Sequence, residues 1–312
     1  MRNVWNDHRF AIIYGIVIIV FTAYGLLDVF VISHPYETAN TASEVIDSSE
    51  NKAIYNEASN SSYNTTTDIT NTETEYSDDN ITISVKTYRE KDTDIYVANV
   101  RLSAAKYLKT AFADNTYGRN IKEKTSIIAK ENSAILAING DFYGAQSEGY
   151  VIRNGELYRS SAVKGNEDLV IYRDGSFEII EESHLSAEEL LNAGAYHVLA
   201  FGPALIKEGL ISVSESEEVG KAMRSNPRTA IGLIDDLHYV FVVADGRTSS
   251  SEGLSLYELA QFMETLGVET AYNLDGGGSS TMIFKGNMIN NPTTNGKTIK
   301  ERSVSDIVYI GY

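Results

Sequence analysis

Residues 271–286, AYNLDGGGSSTMIFKG, connect a short apolar run to a second strand-like run through an aspartate, three glycines and three hydroxyl side chains. Ordering three consecutive glycines is costly, because glycine loses more backbone freedom on folding than any other residue. A turn needs only one or two glycines. The triplet therefore predicts a loop whose bare backbone N–H groups and neighbouring hydroxyls can face phosphate or sugar oxygens.

Three further segments of the sequence also place polar residues beside an apolar strand. Together with the glycine loop they predict a pocket of three carboxylates, two guanidiniums, amide side chains and exposed backbone. The candidate catalytic residues are Asp141, Asp275, Asp245, Arg228 and Arg247, and the candidate substrate-binding residues are Asn139, Asn273, Gly276, Gly277, Gly278, Ser279 and Ser280. Taken one at a time, several of these residues are equally typical of turns or surface charges.

Such a pocket is compatible with two reactions. In a glycosidic reaction, one carboxylate attacks or stabilises an anomeric carbon and a second acts as acid or base. The arginines would hold a phosphate in two-point contacts, a geometry that suits guanidinium. In a metal-dependent phosphodiesterase, Asp141, Asp245 and Asp275 would instead hold divalent ions. Neither nucleotide-binding glycine pattern, GxGxxG or GxxxxGK[ST], is present.

Strand signals dominate residues 81–312 and predict an α+β body of mixed or antiparallel sheet with few helices. Two capped helices are indicated at 186–194 and 255–267, the second with Ser255 and Glu258 in a capping box. Tight hairpins are expected at the pairs Asn154-Gly155, Asp174-Gly175 and Asp235-Asp236. The predicted strands are 81–89, 94–102, 134–138, 169–173, 177–180, 229–234 and 239–244.

Residues 10–33 form an apolar run long enough to cross a bilayer, which requires about 20 residues. We expect a membrane anchor; the alternative is a cleaved signal peptide, although no convincing cleavage site follows the run. Arg2 and Arg9 precede the run, so the positive-inside rule predicts a cytoplasmic N-terminus at 1–9 and an extracytoplasmic remainder.

Residues 34–80 are rich in polar and acidic residues and predict a disordered stalk before the body at 81–312. The net charge of −17 argues against a nucleic-acid partner, which needs a basic footprint. The chain contains no cysteine, which excludes disulfides, a thiol nucleophile and thiolate metal sites.

Across 81–312 the chain resembles the phosphodiester glycosidase family. The resemblance lies in motifs that occur in the family's order: NGDFYG (139–144), GYVIRNGELY (149–158), FGPALIKEG (201–209), NPRTAIG (226–232), VVADGR (242–247) and NLDGGGSSTM (273–282). It implies an enzyme that hydrolyses sugar-1-phosphodiesters between the anomeric carbon and the phosphate oxygen. No cofactor is expected to be required, although a divalent cation such as Ca²⁺ is compatible with the pattern.

The resemblance also suggests roles for individual residues. Asp275 and Asp141 would perform the acid–base or nucleophilic work, Arg228 and Arg247 would hold the phosphate, and Asp245 would orient Arg247 or bind sugar hydroxyls. The lack of cysteine departs from the disulfide-bearing animal members and favours a bacterial envelope protein. Its substrate would then be a phosphodiester-linked glycan such as a teichoic acid or an exopolysaccharide. A non-catalytic module that binds phosphorylated glycan is the alternative function.

Overall fold

The computed structural model describes residues 4–36, 70–71, 74–216 and 225–312. In these ranges the α-helices are α1 (Val4–Phe30), α2 (Thr125–Glu131), α3 (Ala187–Asn192) and α4 (Leu256–Thr265).

The strands of the first half are β1 (His34–Pro35), β2 (Thr70–Asn71), β3 (Glu75–Ser77), β4 (Ile81–Glu90), β5 (Thr93–Leu102), β6 (Leu108–Phe112), β7 (Gly118–Arg119), β8 (Glu123–Lys124), β9 (Leu136–Asn139), β10 (Val151–Arg153) and β11 (Glu156–Arg159). The strands that follow are β12 (Glu167–Tyr172), β13 (Phe177–Glu181), β14 (Ala195–Leu199), β15 (Ala204–Lys207), β16 (Leu210–Ile211), β17 (Arg228–Asp235), β18 (His238–Ala244), β19 (Thr270–Leu274), β20 (Met282–Phe284), β21 (Asn287–Met288), β22 (Ser303–Val304) and β23 (Asp306–Ile310).

Three antiparallel sheets build the body. The largest has nine strands in the order β16-β15-β19-β17-β18-β5-β4-β3-β2, and two five-stranded sheets have the orders β11-β10-β14-β12-β13 and β21-β20-β9-β23-β6. Two short two-stranded sheets pair β1 with β7 and β22 with β8. The predicted α+β class is confirmed, and the pairing of the strands in these sheets is antiparallel rather than mixed.

The nine-stranded sheet is buried on both faces. Along β18, Tyr239, Phe241 and Val243 pack into a core shared with the two five-stranded sheets. The alternate residues Val240 and Val242 pack on the opposite face, against α4. Because side chains alternate between the faces of a strand, a central strand covered on both sides is apolar throughout. This arrangement explains the unbroken apolar run of β18.

The strand and hairpin predictions agree with the structure to within one or two residues at most ends. The pairs Asn154-Gly155 and Asp174-Gly175 connect β10 to β11 and β12 to β13. The third hairpin forms one residue later than predicted, because Asp235 ends β17 and the turn to β18 is made by Asp236 and Leu237. Both predicted helices form, and Ser255 and Ser186 each start a helix with a complete capping box. The short helix α2 was not predicted.

The folded body begins before residue 81, so the predicted end of the stalk at residue 80 lies too far along the chain. Residues 75–77 form β3, which pairs with β4 and so belongs to the nine-stranded sheet. Asp78 then accepts hydrogen bonds from the backbone N–H groups of Asn80 and Ile81, each 2.8 Å long. At the other end of the predicted stalk, β1 pairs with the body. The stalk prediction for 37–69 and 72–73 falls outside the described residues, as do residues 1–3.

The predicted apolar span corresponds to part of α1. Phe10–Phe30 is a candidate membrane span of 21 residues with mean hydropathy 2.4, and none of its apolar window is buried inside the protein. By length and composition alone, such a helix near the N-terminus also fits a signal sequence.

Neighbouring antiparallel strands bring distant residues to one edge of the nine-stranded sheet. The end of β19 pairs with the start of β17, with Leu274 opposite Thr229. The end of β18 meets the same edge, with Ala244 opposite Arg228. Asp275, Arg228 and Arg247 therefore converge by topology alone.

Candidate active site

A cleft of about 500 Å³ opens at this edge of the sheet. Three guanidiniums and one carboxylate line it, together with two aromatic rings and bare glycine backbone, which suits a ligand carrying negative charge. The lining residues are Phe142, Gln146, Phe201, Asn226, Arg228, Arg247, Asp275, Gly276, Gly277 and Arg302.

Asp275 supplies the carboxylate of the cleft. Its backbone is fixed on both sides, because Asn139 Nδ2 donates to its carbonyl oxygen at 2.6 Å and its own N–H donates to the Gly140 carbonyl at 3.2 Å. Burial raises the pKa of the Asp275 carboxyl to about 6, against the lowering effects of the Ser279 hydroxyl and the Arg302 charge. A carboxyl with this pKa exchanges a proton near neutral pH, as a catalytic acid or base requires.

Arg247 is held in place by acceptors from two other loops. Its Nε and Nη2 donate to Asn226 Oδ1 at 3.1 and 3.0 Å, and its Nη1 donates to the Thr294 carbonyl at 2.8 Å. The Arg247 backbone has φ of +64°, a left-handed conformation that is uncommon for a residue other than glycine. Strained backbone of this kind concentrates at ligand-binding positions.

Arg228 and Arg302 complete the cationic wall. Arg228 is 3% exposed, and its Nε donates to the Leu254 carbonyl at 2.8 Å. Arg302 is exposed and approaches the glycine loop, with Nη1 3.4 Å from Ser279 Oγ. Burial, and next the nearby Arg302 charge, lower the pKa of Arg247. Like charges are thus brought close together, an arrangement that an anionic ligand would relieve.

Asp141 lies near the cleft but does not line it. Its Oδ2 accepts hydrogen bonds from Arg153 Nη2 at 2.8 Å and from the Ala200 N–H at 2.9 Å, and its Oδ1 accepts from the Tyr143 N–H at 2.9 Å. Arg153 also bonds Asp306 Oδ2, at 2.9 Å from Nη2. The Asp141 side chain is buried with both oxygens bonded, so it fixes the loop beside the cleft and does not line the cleft itself.

Asp245 is also buried and bonded, and the predicted orientation of Arg247 by Asp245 is wrong. Asp245 Oδ1 accepts from Asn290 Nδ2 and from the Asn291 N–H, both at 3.0 Å, and its Oδ2 accepts from the Tyr96 hydroxyl at 3.3 Å. These partners come from the loop after β21 and from β5. Asp245 anchors that loop, while Arg247 depends on Asn226 and Thr294.

The three glycines are needed mainly because other parts of the protein pack against them. A Cβ on Gly278 would lie 2.2 Å from Thr294 Oγ1, and one on Gly276 would lie 2.9 Å from the Pro227 carbonyl oxygen. Gly277 has φ of +63°, and its Cβ would lie 2.9 Å from Arg247 Nη2. Gly276 and Gly277 still line the cleft, so the predicted ligand-facing backbone is present at two positions.

The remaining predicted substrate-binding residues lie behind the cleft wall. Asn139 Oδ1 accepts from Thr229 Oγ1 at 2.8 Å, and Asn273 Nδ2 donates to the Gly202 carbonyl at 2.7 Å. Ser279 contacts Arg302, whereas Ser280 Oγ is buried and has no hydrogen-bond partner. None of these four lines the cleft.

Five lining residues that sequence reasoning missed are Phe142, Gln146, Phe201, Asn226 and Arg302. Phe142 and Phe201 sit inside two of the motifs, NGDFYG and FGPALIKEG, and aromatic residues at strand ends were the available signal. Arg302 directly precedes β22, as Arg228 begins β17. An arginine at the start of a strand was therefore a sequence pattern that could have predicted Arg302 as a site residue.

Within the described ranges, no group of three or more histidine, aspartate or glutamate side chains has an arrangement that could hold a metal ion. Of the three aspartates that a metal-dependent site would use, Asp141 is paired with Arg153, Asp245 is bonded by Asn290 and Asn291, and Asp275 lines the cleft.

The sequence model of the phosphodiester glycosidase family matches residues 132–311, which is more than half of the chain. The chain belongs to this family, as the motifs predicted. The match contains the glycine loop and the three arginines of the cleft.

Two curated relatives illustrate the family. The SPbeta prophage-derived uncharacterized protein YomE of Bacillus subtilis (strain 168) is 29% identical over 201 residues, covering 63% of this chain and 31% of that protein. The N-acetylglucosamine-1-phosphodiester α-N-acetylglucosaminidase of Mus musculus is 31% identical over 175 residues, covering 51% of this chain and 33% of the mouse enzyme. The matched region spans about a third of the length of these relatives.

Solved structures show the same fold. The zebrafish N-acetylglucosamine-1-phosphodiester α-N-acetylglucosaminidase catalytic domain, auto-inhibited by its pro-peptide, superposes with a TM-score of 0.59 at 20% identity, covering 74% of this chain and 83% of that one. A hypothetical protein from Synechocystis superposes with a TM-score of 0.54 at 16% identity, covering 74% of this chain and 62% of the other.

Proposed function

We propose that this chain hydrolyses sugar-1-phosphodiesters, breaking the bond between the anomeric carbon and the phosphate oxygen. The observation that carries the proposal is the composition of the cleft, in which the Asp275 carboxyl, with its pKa raised to about 6, faces three guanidiniums. The names of the related N-acetylglucosamine-1-phosphodiester glycosidases support the same reaction class.

In this proposal Asp275 acts as a general base. It takes a proton from a water molecule as the water oxygen forms a bond to the anomeric carbon. The bond from that carbon to the phosphate oxygen breaks, and its electron pair leaves with the phosphate, which departs as a monoester. The charge that develops on the phosphate is stabilised by Arg228, Arg247 and Arg302. A second carboxylate is then unnecessary, because a phosphate monoester leaves without a proton from the enzyme.

The cleft lining combines two kinds of side chain, aromatic rings and guanidiniums. Phe142 and Phe201 line the cleft along with the arginines. Apolar ring faces pack against the C–H faces of sugars, whereas guanidiniums bind phosphate oxygens. We assign the sugar to the phenylalanines and the phosphate to the arginines.

The location proposed for the protein is the cell membrane, with α1 as a single-pass anchor, the N-terminus in the cytoplasm and the body outside. The 21-residue candidate span and the two N-terminal arginines support this topology. The proposed substrates are phosphodiester-linked glycans of the envelope, such as teichoic acids or exopolysaccharides. Release of the full chain by a carbonate wash without detergent would contradict the anchor.

The reaction is tested by incubating the full chain with a panel of sugar-1-phosphate diesters and measuring the free sugar released. Wild type should release sugar, and Asp275→Asn should lose turnover while still binding the diester. Binding by wild type without turnover across the panel would contradict the enzyme and identify a phosphoglycan-binding module.

Metal independence is part of the proposal. Activity should survive EDTA, because the arginines supply the positive charge that a metal-dependent phosphodiesterase takes from its ions. Loss of activity in EDTA, restored by a divalent ion while circular dichroism shows an unchanged fold, would contradict it.

A further inference from the structure

The C-terminal end of α1 is bonded directly to the body. Asn120 Nδ2 donates to the carbonyl oxygens of Val29 at 2.9 Å and Ile32 at 3.1 Å. Carbonyls at the end of a helix lack partners within it, so Asn120 supplies the cap. Arg119 Nη2 lies 3.6 Å from Asp28 Oδ2, which adds an ion pair across the same contact.

The segment after α1 is packed just as closely. In the pairing of β1 with β7, a Cβ on Gly118 would lie 2.3 Å from the His34 carbonyl oxygen, so residue 118 must be glycine for the strands to meet. The Tyr36 N–H donates to the Tyr117 carbonyl at 3.0 Å. The Tyr117 ring in turn stacks on Tyr143, with centroids 5.4 Å apart and planes at 16°.

This contact leads to the mouth of the cleft. The Asn120 backbone N–H donates to the Gly144 carbonyl at 3.0 Å. Gly144 is two residues from Phe142 and two from Gln146, both of which line the cleft. Two residues of chain span at most about 7 Å. The residue that caps α1 is therefore bonded to the loop that forms one wall of the cleft.

The length of the apolar helix sets the level of this contact relative to a bilayer. Phe10–Phe30 contains 21 residues, which as a helix measure about 31 Å, close to the roughly 30 Å thickness of a hydrocarbon core. The body contacts α1 at residues 28–32, at the end of the span. Arg119 and Asn120 then lie where the helix leaves the hydrocarbon and enters the headgroup layer.

We propose that the docked anchor holds the mouth of the cleft at the bilayer surface, and that the substrate is a sugar-1-phosphodiester of a membrane lipid. The inference rests on the proposed function and narrows its substrate class. A lipid of this kind holds both its phosphate and its sugar at or just above the headgroup layer, at the level of the mouth of the cleft.

The reaction on such a lipid balances without a co-reactant. Water adds its oxygen to the anomeric carbon and gives one proton to Asp275. The bond from the anomeric carbon to oxygen breaks, the sugar is released into solution, and the lipid monophosphate stays in the bilayer. The proton on Asp275 then passes to solvent.

The position of the cleft is tested without measuring activity. Because the chain has no cysteine, Ala145→Cys places a single fluorophore on the exposed loop beside Gly144. The full chain is reconstituted in vesicles with lipids that carry a quencher on the headgroup. Leu210→Cys, at an exposed position on the edge strand β16, is the control. Strong quenching at residue 145 and weaker quenching at 210 are expected; equal quenching at the two positions overturns the proposal.

The substrate class is tested with two probes, an N-acetylglucosamine-1-phosphate diester of a long-chain alcohol embedded in the same vesicles and the soluble methyl diester. Wild type should cleave the embedded probe about tenfold faster or more, because docking on the anchor raises the effective concentration of the probe at the cleft above what membrane attachment alone gives. The double variant Arg119→Gln with Asn120→Gly should lose that preference and keep its rate on the methyl diester.

The matched control is Ser133→Gly, because Ser133 has an exposed side chain and the same left-handed backbone as Asn120, with φ of +52° and +62°. It should retain the preference. Cleavage of the methyl diester alone, or a preference unchanged in the double variant, overturns the inference and leaves the proposed function standing. Cleavage of neither probe overturns the proposed function, and the lipid substrate with it.

Discussion

Arg153 and Asp141 form a fully buried ion pair, with Nη2 2.8 Å from Oδ2 and each side chain at most 1% exposed. The same nitrogen lies 2.9 Å from Asp306 Oδ2, so a single guanidinium serves two carboxyls. Burial, and next the Asp141 charge, raise the pKa of Asp306, which favours the neutral form of that carboxyl. The cluster fixes the start of the loop that forms one wall of the cleft.

Arg153→Met should therefore destabilise the protein strongly. Removing one partner of a buried pair leaves an uncompensated charge, at a cost of about 3–5 kcal/mol. Urea unfolding followed by circular dichroism measures the loss. Arg89→Met is the control, because Arg89 pairs with Asp94 at 2.8 Å on the surface and an exposed pair contributes about 0–1 kcal/mol. Equal losses in the two variants would contradict a special role for the buried cluster.

The pH dependence of hydrolysis should follow Asp275. A general base must be deprotonated, so kcat/KM should rise with pH through about 6, the pKa of Asp275, and then level off. The Arg302 charge lowers this pKa, so Arg302→Met should move the rising limb to higher pH. Arg302→Lys, which keeps the charge, should leave the limb in place. If kcat/KM rises at the same pH in all three proteins, Asp275 is not the titrating base.

Gly277→Ala should reduce activity through the position of Arg247. Alanine at φ of +63° is strained by about 1–2 kcal/mol, and its Cβ would lie 2.9 Å from Arg247 Nη2. Gly165→Ala is the matched control, with φ of +78° and no atom within 4 Å of the added carbon. Both variants should lose similar stability, but only Gly277→Ala should raise KM for a phosphodiester. A similar KM in both variants would contradict the assignment of Arg247 to the phosphate.

Asp168 should make the protein less stable as the pH rises. Burial, and next the charge of Glu182, raise the pKa of the Asp168 carboxyl to about 10, so the folded protein keeps a proton that the unfolded chain loses near pH 4. The stabilising effect is complete below about pH 4 and is lost as the pH rises toward 10, at up to about 1.4 kcal/mol per pH unit.

Asp168→Asn removes this titration while keeping a neutral group of the same shape. Unfolding free energies measured from pH 5 to pH 8 should therefore fall more steeply in wild type than in the variant. Parallel curves would show that Asp168 is ionised in the folded protein. Comparing the two proteins at each pH cancels the contributions of the other carboxyls.

Local sequence patterns predicted the longest strands, including β4, β5, β17 and β18, together with the three hairpins and the two capped helices, because each depends on neighbours only a few residues apart. The pattern at 255–267 is an example: Ser255 and Glu258 cap the helix as expected. The stalk boundary was misplaced because β3 is too short to carry a periodic signal, and its stability comes from pairing with β4.

The sequence predicted that Arg228, Arg247 and Asp275 come together, but not which carboxylates line the cleft. Strand ends gave Arg228, Arg247 and Asp275, since antiparallel neighbours bring those ends to one edge. The burial of Asp141 depends on Arg153, and that of Asp245 on the segment after β21. No local pattern identifies partners of this kind. The family resemblance could not separate carboxylates that face the cleft from those that support it.

Asn139 contacts three strand ends at once, with its amide bonded to Asp275, to Thr229 and to the N–H of Thr281. Its own strand belongs to one sheet, while Asp275 and Thr229 extend from another. The Asp275 carboxylate therefore reaches its position in the cleft only after the two sheets have joined. A folding intermediate with either sheet formed alone would be inactive, so recovery of hydrolysis during refolding would report the assembly of the sheets.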